Sequence, residues 1–128
     1  MNNEHPQIVA NMIRTPDGTI LQSRHRHDYK TYIDKNGKEY MVDGGLEYLR
    51  RIVHDDAPYE ELSVTLGDSF ETIRESFTWG TRGVAGDEPL KWVRLKDLHT
   101  DHIESILGNG YGSDWVRILM TKELEFRK

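Results

Sequence analysis

Three short stretches of this 128-residue chain place ionisable, aromatic and glycine residues at spacings that could do chemistry. The first is Arg24-His25-Arg26-His27-Asp28. In an extended strand His25 and His27 project to one side, and Arg24, Arg26 and Asp28 to the other. Two imidazoles so placed could hold a divalent metal, or one could serve as a general base. A metal site needs at least a third ligand, which local spacing does not identify. The competing account is structural, with His27 and Asp28 hydrogen-bonding a chain corner into place, because buried polar groups must be paired.

The second stretch is Asp43-Gly44-Gly45, leading into Tyr48, Arg50 and Arg51. A glycine pair ahead of a helix can bring backbone N–H groups close to an anion. The glycine–lysine spacing of a phosphate-binding P-loop is absent, and a strand-to-helix turn with positive φ explains the same residues. The third is Trp79-Gly80-Thr81-Arg82-Gly83. Here a ring could stack on Trp79 and a phosphate pair with Arg82. A helix ending at Gly80, with Trp79 covering the core edge, accounts for the glycine but gives Thr81 and Arg82 no role. No H-E-x-x-H, C-x-x-C or Ser-His-Asp arrangement is present, so no residue is assigned a catalytic or metal-ligating role and no cofactor is implied.

The elements that must position these stretches follow from turn chemistry and periodicity. Ile8 to Ile13 and Thr19 to Gln22 flank Thr15-Pro16-Asp17-Gly18, a turn signal that predicts a first hairpin. Asn36-Gly37, between runs rich in Tyr, Thr, Ile, Met and Val, predicts a second with a type I′ turn. Together they suggest an antiparallel β-meander of up to four strands, with Arg24 to Asp28 at the corner. Leu46, Leu49 and Val53 recur at helical spacing and predict a helix from Leu46 to His54. Leu62, Val64 and Leu66 alternate as in a half-buried strand. Asp68 and Glu71 have capping-box spacing for a helix bearing Phe70, Ile73 and Phe77 and stopping near Gly80. Leu90 to Leu95 reads as a strand and Asp97 to Leu107 as a helix. Ser113 is placed to cap a last helix with Val116, Leu119, Met120 and Leu124 in an apolar stripe. The expectation is one α+β domain over residues 1–128, a meander with about four helices packed against it. Residues 1–7 are expected to be flexible, and 108–112 to form a glycine-rich connector.

Composition narrows the function classes. Charged residues make up 30% and hydrophobic ones 36%, and no apolar run approaches the roughly 20 residues of a membrane span. The opening M-N-N-E-H-P-Q lacks a signal-peptide pattern, and no cysteine offers a thiolate or disulfide, which together predict work in a cytoplasm. A net charge of −5 disfavours sequence-independent nucleic-acid binding. Basic residues crowd between Arg24 and Arg51 and acidic ones between Asp55 and Glu75. That asymmetry can mean solvated faces only, or an anion-attracting side beside an acidic one that favours self-association. The last helix, following a flexible connector, could likewise reach a neighbour, so a homo-oligomer is expected.

Several motifs carry a resemblance: M-I-R-T-P-D-G-T at Met12 to Thr19, S-R-H-R-H-D-Y at Ser23 to Tyr29, and V-D-G-G-L-E-Y-L-R-R at Val42 to Arg51. It continues in I-R-E-S-F-T-W-G-T-R-G at Ile73 to Gly83 and P-L-K-W-V-R-L-K-D-L at Pro89 to Leu98. Over roughly Met12 to Leu107 the chain resembles a family of small accessory proteins of large tailed bacteriophages. The resemblance implies a setting, a phage protein made in the host cytoplasm, of a kind that commonly acts by binding. The resulting expectation is a non-enzymatic binding protein that counters host defence or redirects host processes. Its partner would be a host protein or an anionic, nucleotide-like small molecule. The residues expected to contact it are Arg24, Arg26, His27, Tyr29, Tyr48, Arg50, Arg51, Trp79, Thr81 and Arg82. The alternative is a small metal-dependent hydrolase or phosphodiesterase using His25, His27 and Asp28.

Overall fold

Two loops of the same design set the first half of the chain. In Thr15 to Thr19, the Thr15 and Thr19 backbones pair at 2.8 Å and Gly18 turns the chain at φ 91°. In Asp34 to Lys38, the Asp34 amide meets the Lys38 carbonyl at 3.0 Å and Gly37 turns it at φ 81°. Each joins a hairpin, β1 (Ile8–Arg14) to β2 (Ile20–Ser23) and β3 (Lys30–Ile33) to β4 (Glu39–Asp43). The second loop is longer than the expected two-residue type I′ turn. The Asp34 carboxylate accepts the amides of Asn36 and Lys38, both at 2.9 Å, and this holds a three-residue tip with glycine last. This computed structural model describes residues 6–83 and 85–128, so the first five residues of the expected flexible start lie outside the described residues.

The fold is mixed α and β, with several antiparallel sheets and, among the described residues, three α-helices rather than the expected four. The chain divides into two compact units, Met1–Ile73 and Arg74–Lys128. In the first, the two hairpins do not form one meander but belong to different sheets. The β2–β1 pair continues into β6 (Glu60–Glu61) and β7 (Val64–Thr65), both antiparallel to β1. Between these short strands the Ser63 hydroxyl accepts the Met12 amide at 3.0 Å, replacing one backbone bond. The other sheet is β3–β4–β5, where β5 is Arg50–Ile52. Ile13 and Leu21 of one sheet and Tyr40 and Val42 of the other form a buried cluster, with Tyr32, Val53 and Tyr59 at its margin.

The helix expected from Leu46 to His54 is therefore a turn followed by a strand. Its spacing is real, but Leu49 is exposed, so the three apolar residues do not face one core. What decides the region is β4, whose Tyr40, Met41 and Val42 are buried. Its outer backbone edge needs partners, and β5 supplies them with Met41 opposite Ile52 and Asp43 opposite Arg50.

Helix α1 (Phe70–Ser76) is capped by Ser69, whose hydroxyl accepts the Thr72 amide at 3.2 Å. Asp68, the expected cap, instead accepts the Thr65 amide. The helix stops at Ser76 rather than near Gly80, which lies in β8 (Thr78–Thr81), paired antiparallel with β9 (Lys91–Arg94). Gly80 stands opposite Trp92, and a Cβ there would come within 3.1 Å of the indole. A 3-10 turn (Leu95–Asp97), α2 (Thr100–Gly108) and α3 (Asp114–Phe126) complete the second unit. Ser113 does precede α3, but its side chain makes no capping bond. The core here includes Phe77, Leu95, Leu98, Ile103, Ile106, Val116, Leu119 and Met120. Within it Glu123 is buried between Arg74 and Arg127, Nε of Arg127 lying 2.7 Å from Oε2. Among the described residues no helix is long and apolar enough to cross a membrane.

Candidate recognition surface

The corner at residues 24–29 and the turn at 44–49 are held together by buried polar groups. Asn11, fully buried on β1, donates through Nδ2 to the carbonyls of Asp43 (3.0 Å), Gly45 (2.9 Å) and Tyr48 (3.1 Å). Ser23, fully buried at the end of β2, accepts the Gly45 amide at 2.9 Å and donates to the Asp28 carbonyl at 2.6 Å. Turns rarely bury their backbone groups, because water normally satisfies them. Here two side chains from the sheet take over that task.

The glycine pair makes this closeness possible. Both residues have positive φ, 104° at Gly44 and 54° at Gly45. A Cβ on Gly44 would lie 2.0 Å from the Tyr48 carbonyl oxygen, and one on Gly45 would lie 2.2 Å from the His25 carbonyl carbon. The pair thus brings backbone against backbone, and the Gly45 amide is spent on Ser23. Asp28 closes the corner from the other side, accepting the Arg24 amide at 2.8 Å and pairing with Lys30 at 2.7 Å. Partial burial pushes its carboxyl up, but Lys30 and the Arg24 amide outweigh that and hold it below the usual carboxylate range.

What remains outside is a compact display of cationic and apolar side chains. His25, Arg26, His27, Tyr29, Tyr48, Leu49 and Arg50 are exposed, Tyr29 by 55% and Tyr48 and Leu49 by 45% each. Arg26 and Arg50 have only loose ion-pair geometry, at 3.7 Å to Glu47 and 3.6 Å to Asp43. Arg51 differs. Its guanidinium grips Glu61 through two bonds of 3.0 and 2.8 Å and donates to Ser63 at 2.9 Å, so it fastens β5 toward β6. Arg24 is half-buried within the corner.

Trp79, Thr81 and Arg82 belong to the second unit. Trp79 is half-buried on β8, and the Thr81 hydroxyl accepts the Gly83 amide at 3.2 Å. Arg82 is exposed, and its carbonyl accepts the Glu88 amide across the hairpin loop. The structure therefore joins the first two sequence stretches into one surface within the first unit. Asn11, the residue that ties them, sits in a strand more than thirty positions from the turn it holds. Only an asparagine among apolar neighbours marked it in the sequence.

The hydrolase alternative needs Asp28 as a ligand or base, whereas its carboxylate is engaged with the Arg24 amide and Lys30. Among the described residues no three His, Asp or Glu side chains converge as a metal site. The second unit also holds an open groove of about 940 Å3 between the β8–β9 hairpin and the start of α2. No protein-family model matches this chain, and searches of curated proteins and of solved structures likewise find no match.

Proposed function

We propose that this chain is a non-enzymatic binding protein of phage origin that acts in the host cytoplasm and counters host defence by docking a host protein. Its contact surface is the corner and turn that carry Arg26, His27, Tyr29, Tyr48, Leu49 and Arg50. The observation that supports this reading is the burial of Asn11 and Ser23 beneath two exposed loops. Loops fixed in this way lose little freedom on binding, so more of the contact energy appears as affinity. Tyrosine and arginine are the residue types that most often dominate such interfaces. Exposed aromatic and leucine side chains beside loosely paired guanidiniums suit a protein surface bearing carboxylates and apolar groups.

The test is phage plating on defence-bearing bacteria that express the chain. Wild-type protein should restore plating, and Arg26→Ala/Tyr48→Ala should not, with circular dichroism unchanged between the two. A folded, fully active double variant would remove this surface from the proposal. Release of a stoichiometric nucleotide from denatured protein purified out of infected cells would shift the target from a host protein to a small anion.

A further inference from the structure

The groove of the second unit presents chemistry that the proposed recognition surface does not use. Antiparallel pairing sets Thr81 opposite Lys91, and Val93 follows Lys91 by two residues, so these side chains share one face of the hairpin. They line the groove on one side, with Pro89 and the half-exposed Leu90 at the hairpin's end. Asp97, Asp101 and His102 line it from the 3-10 turn and α2, and Glu88 adds a third carboxylate from the loop. Glu88, Asp97 and Asp101 are exposed, and among the described residues none of the three carboxylates makes a hydrogen bond or a close ion pair, Asp97 acting on Arg74 only at longer range. Exposed acids elsewhere do find cations, as Glu60 does with Arg14 and Asp56 with Lys38. Lys91 is the single Lys or Arg among the groove residues.

We infer that this groove docks a basic, extended peptide segment of a partner protein in which arginine or lysine alternates with apolar residues. Guanidinium groups match free carboxylates through paired, charge-assisted hydrogen bonds. The aliphatic stems and apolar residues of such a segment would lie on Pro89, Leu90 and Val93. The surplus of carboxylates repels anions, and no three potential ligands converge to hold a metal ion among the described residues. At about 940 Å3 the groove is larger than a single side chain needs and has room for several residues of peptide.

Fluorescence anisotropy on the full chain tests this, with a labelled octapeptide alternating arginine and leucine as the probe. The acidic counterpart, alternating glutamate and leucine, and free spermine are the controls. The basic peptide should bind, and its affinity should fall roughly tenfold in Asp97→Asn/Asp101→Asn, whose side chains are exposed and replaced isosterically. Leu90→Ser should weaken it by about threefold or more, whereas Lys122→Ala, at an exposed position of α3 outside the groove lining, should leave it unchanged. Failure of the basic peptide to bind, or undiminished binding by the Asp97→Asn/Asp101→Asn variant, overturns the inference. Equal binding of the acidic peptide overturns it too, as does spermine matching the peptide's affinity, since then charge alone is read.

Discussion

Arg74 meets Glu123 side-on, with Nε 2.8 Å from Oε1 and Nη2 2.6 Å from Oε2, and the glutamate side chain is 0% exposed. The pairing spans 49 residues, joining the end of α1 to the last turns of α3. Arg127 takes the remaining approach to Oε2 and itself donates to the carbonyls of Leu95 and Lys96. The Arg74 guanidinium also lies 4.3 Å from the Phe126 ring centroid. A buried carboxylate costs stability unless it is paired, and here one carboxylate organises three segments, the end of α1, the end of α3 and the 3-10 turn.

Removing Arg74 should therefore cost more than a surface ion pair does. Arg74→Met keeps the aliphatic stem but leaves Glu123 with Arg127 alone, and the loss should be roughly 2–3 kcal/mol. Urea denaturation followed by tryptophan fluorescence measures it. A change under about 0.5 kcal/mol, the size of an ordinary surface substitution, would show that Arg127 suffices.

The same carboxylate gives the protein an acid-sensitive term. Burial pushes the Glu123 carboxyl up, but Arg74 and Arg127 outweigh it and hold the group below its ordinary 4.5. A carboxylate whose folded value lies below its unfolded one contributes stability that is fully present above the unfolded value. That stability is lost as pH falls through the folded value. Asp28 and Glu61 act in the same direction, Glu61 being raised by partial burial and lowered further by Arg51 and Ser63. Stability should be flat near neutrality and should fall as pH drops below about 4.5. Glu123→Gln should be less stable at pH 7 and should lose less on acidification. A variant whose stability falls as steeply as wild type would remove Glu123 from this account.

Two glycine substitutions separate backbone strain from collision. At Gly37, φ is 81° but nothing lies within 4 Å of an added Cβ, so Gly37→Ala should cost only about 1 kcal/mol. At Gly45 the added atom would meet the backbone of His25 and Arg26 at 2.2 to 2.7 Å, so the corner must separate from the turn. Gly45→Ala should be destabilised by roughly 3 kcal/mol or more. Its loss of hydrogen-exchange protection should centre on the 24–29 and 44–49 loops. Equal effects of the two substitutions would mean that the loops are less tightly joined than their hydrogen bonds imply.

What the sequence reveals here is local. Thr15-Pro16-Asp17-Gly18 and Asp34 to Lys38 announce both hairpins, because their φ requirements and side-chain acceptors lie within the loops themselves. Helices α2 and α3 and strand β9 are likewise legible from their own periodicity. β5 is not, because over nine residues the spacing of Leu46, Leu49 and Val53 fits a helix, and only the distant β4 demands a strand. Gly80 reads as a helix end because its reason, the indole of Trp92, lies across the hairpin. The candidate surface follows the same rule. Its exposed residues are visible as two motifs, whereas their union depends on Asn11 and Ser23, which make their bonds far along the chain. The acidic groove has no motif, since Glu88, Asp97 and Asp101 meet only through folding.

The interruption at Ser63 bears on how molecules meet at high concentration. Among the described residues the strand beside β1 on that flank is two short pieces, the first bearing Glu60 and Glu61 and the second Val64 and Thr65. A foreign strand laid along it would find a broken row of backbone donors and acceptors and two carboxylates at its start. Long, flat and apolar margins are the ones that template fibrils, and this margin has none of those properties. Crowded copies of the protein are thereby discouraged from zipping together along this one margin.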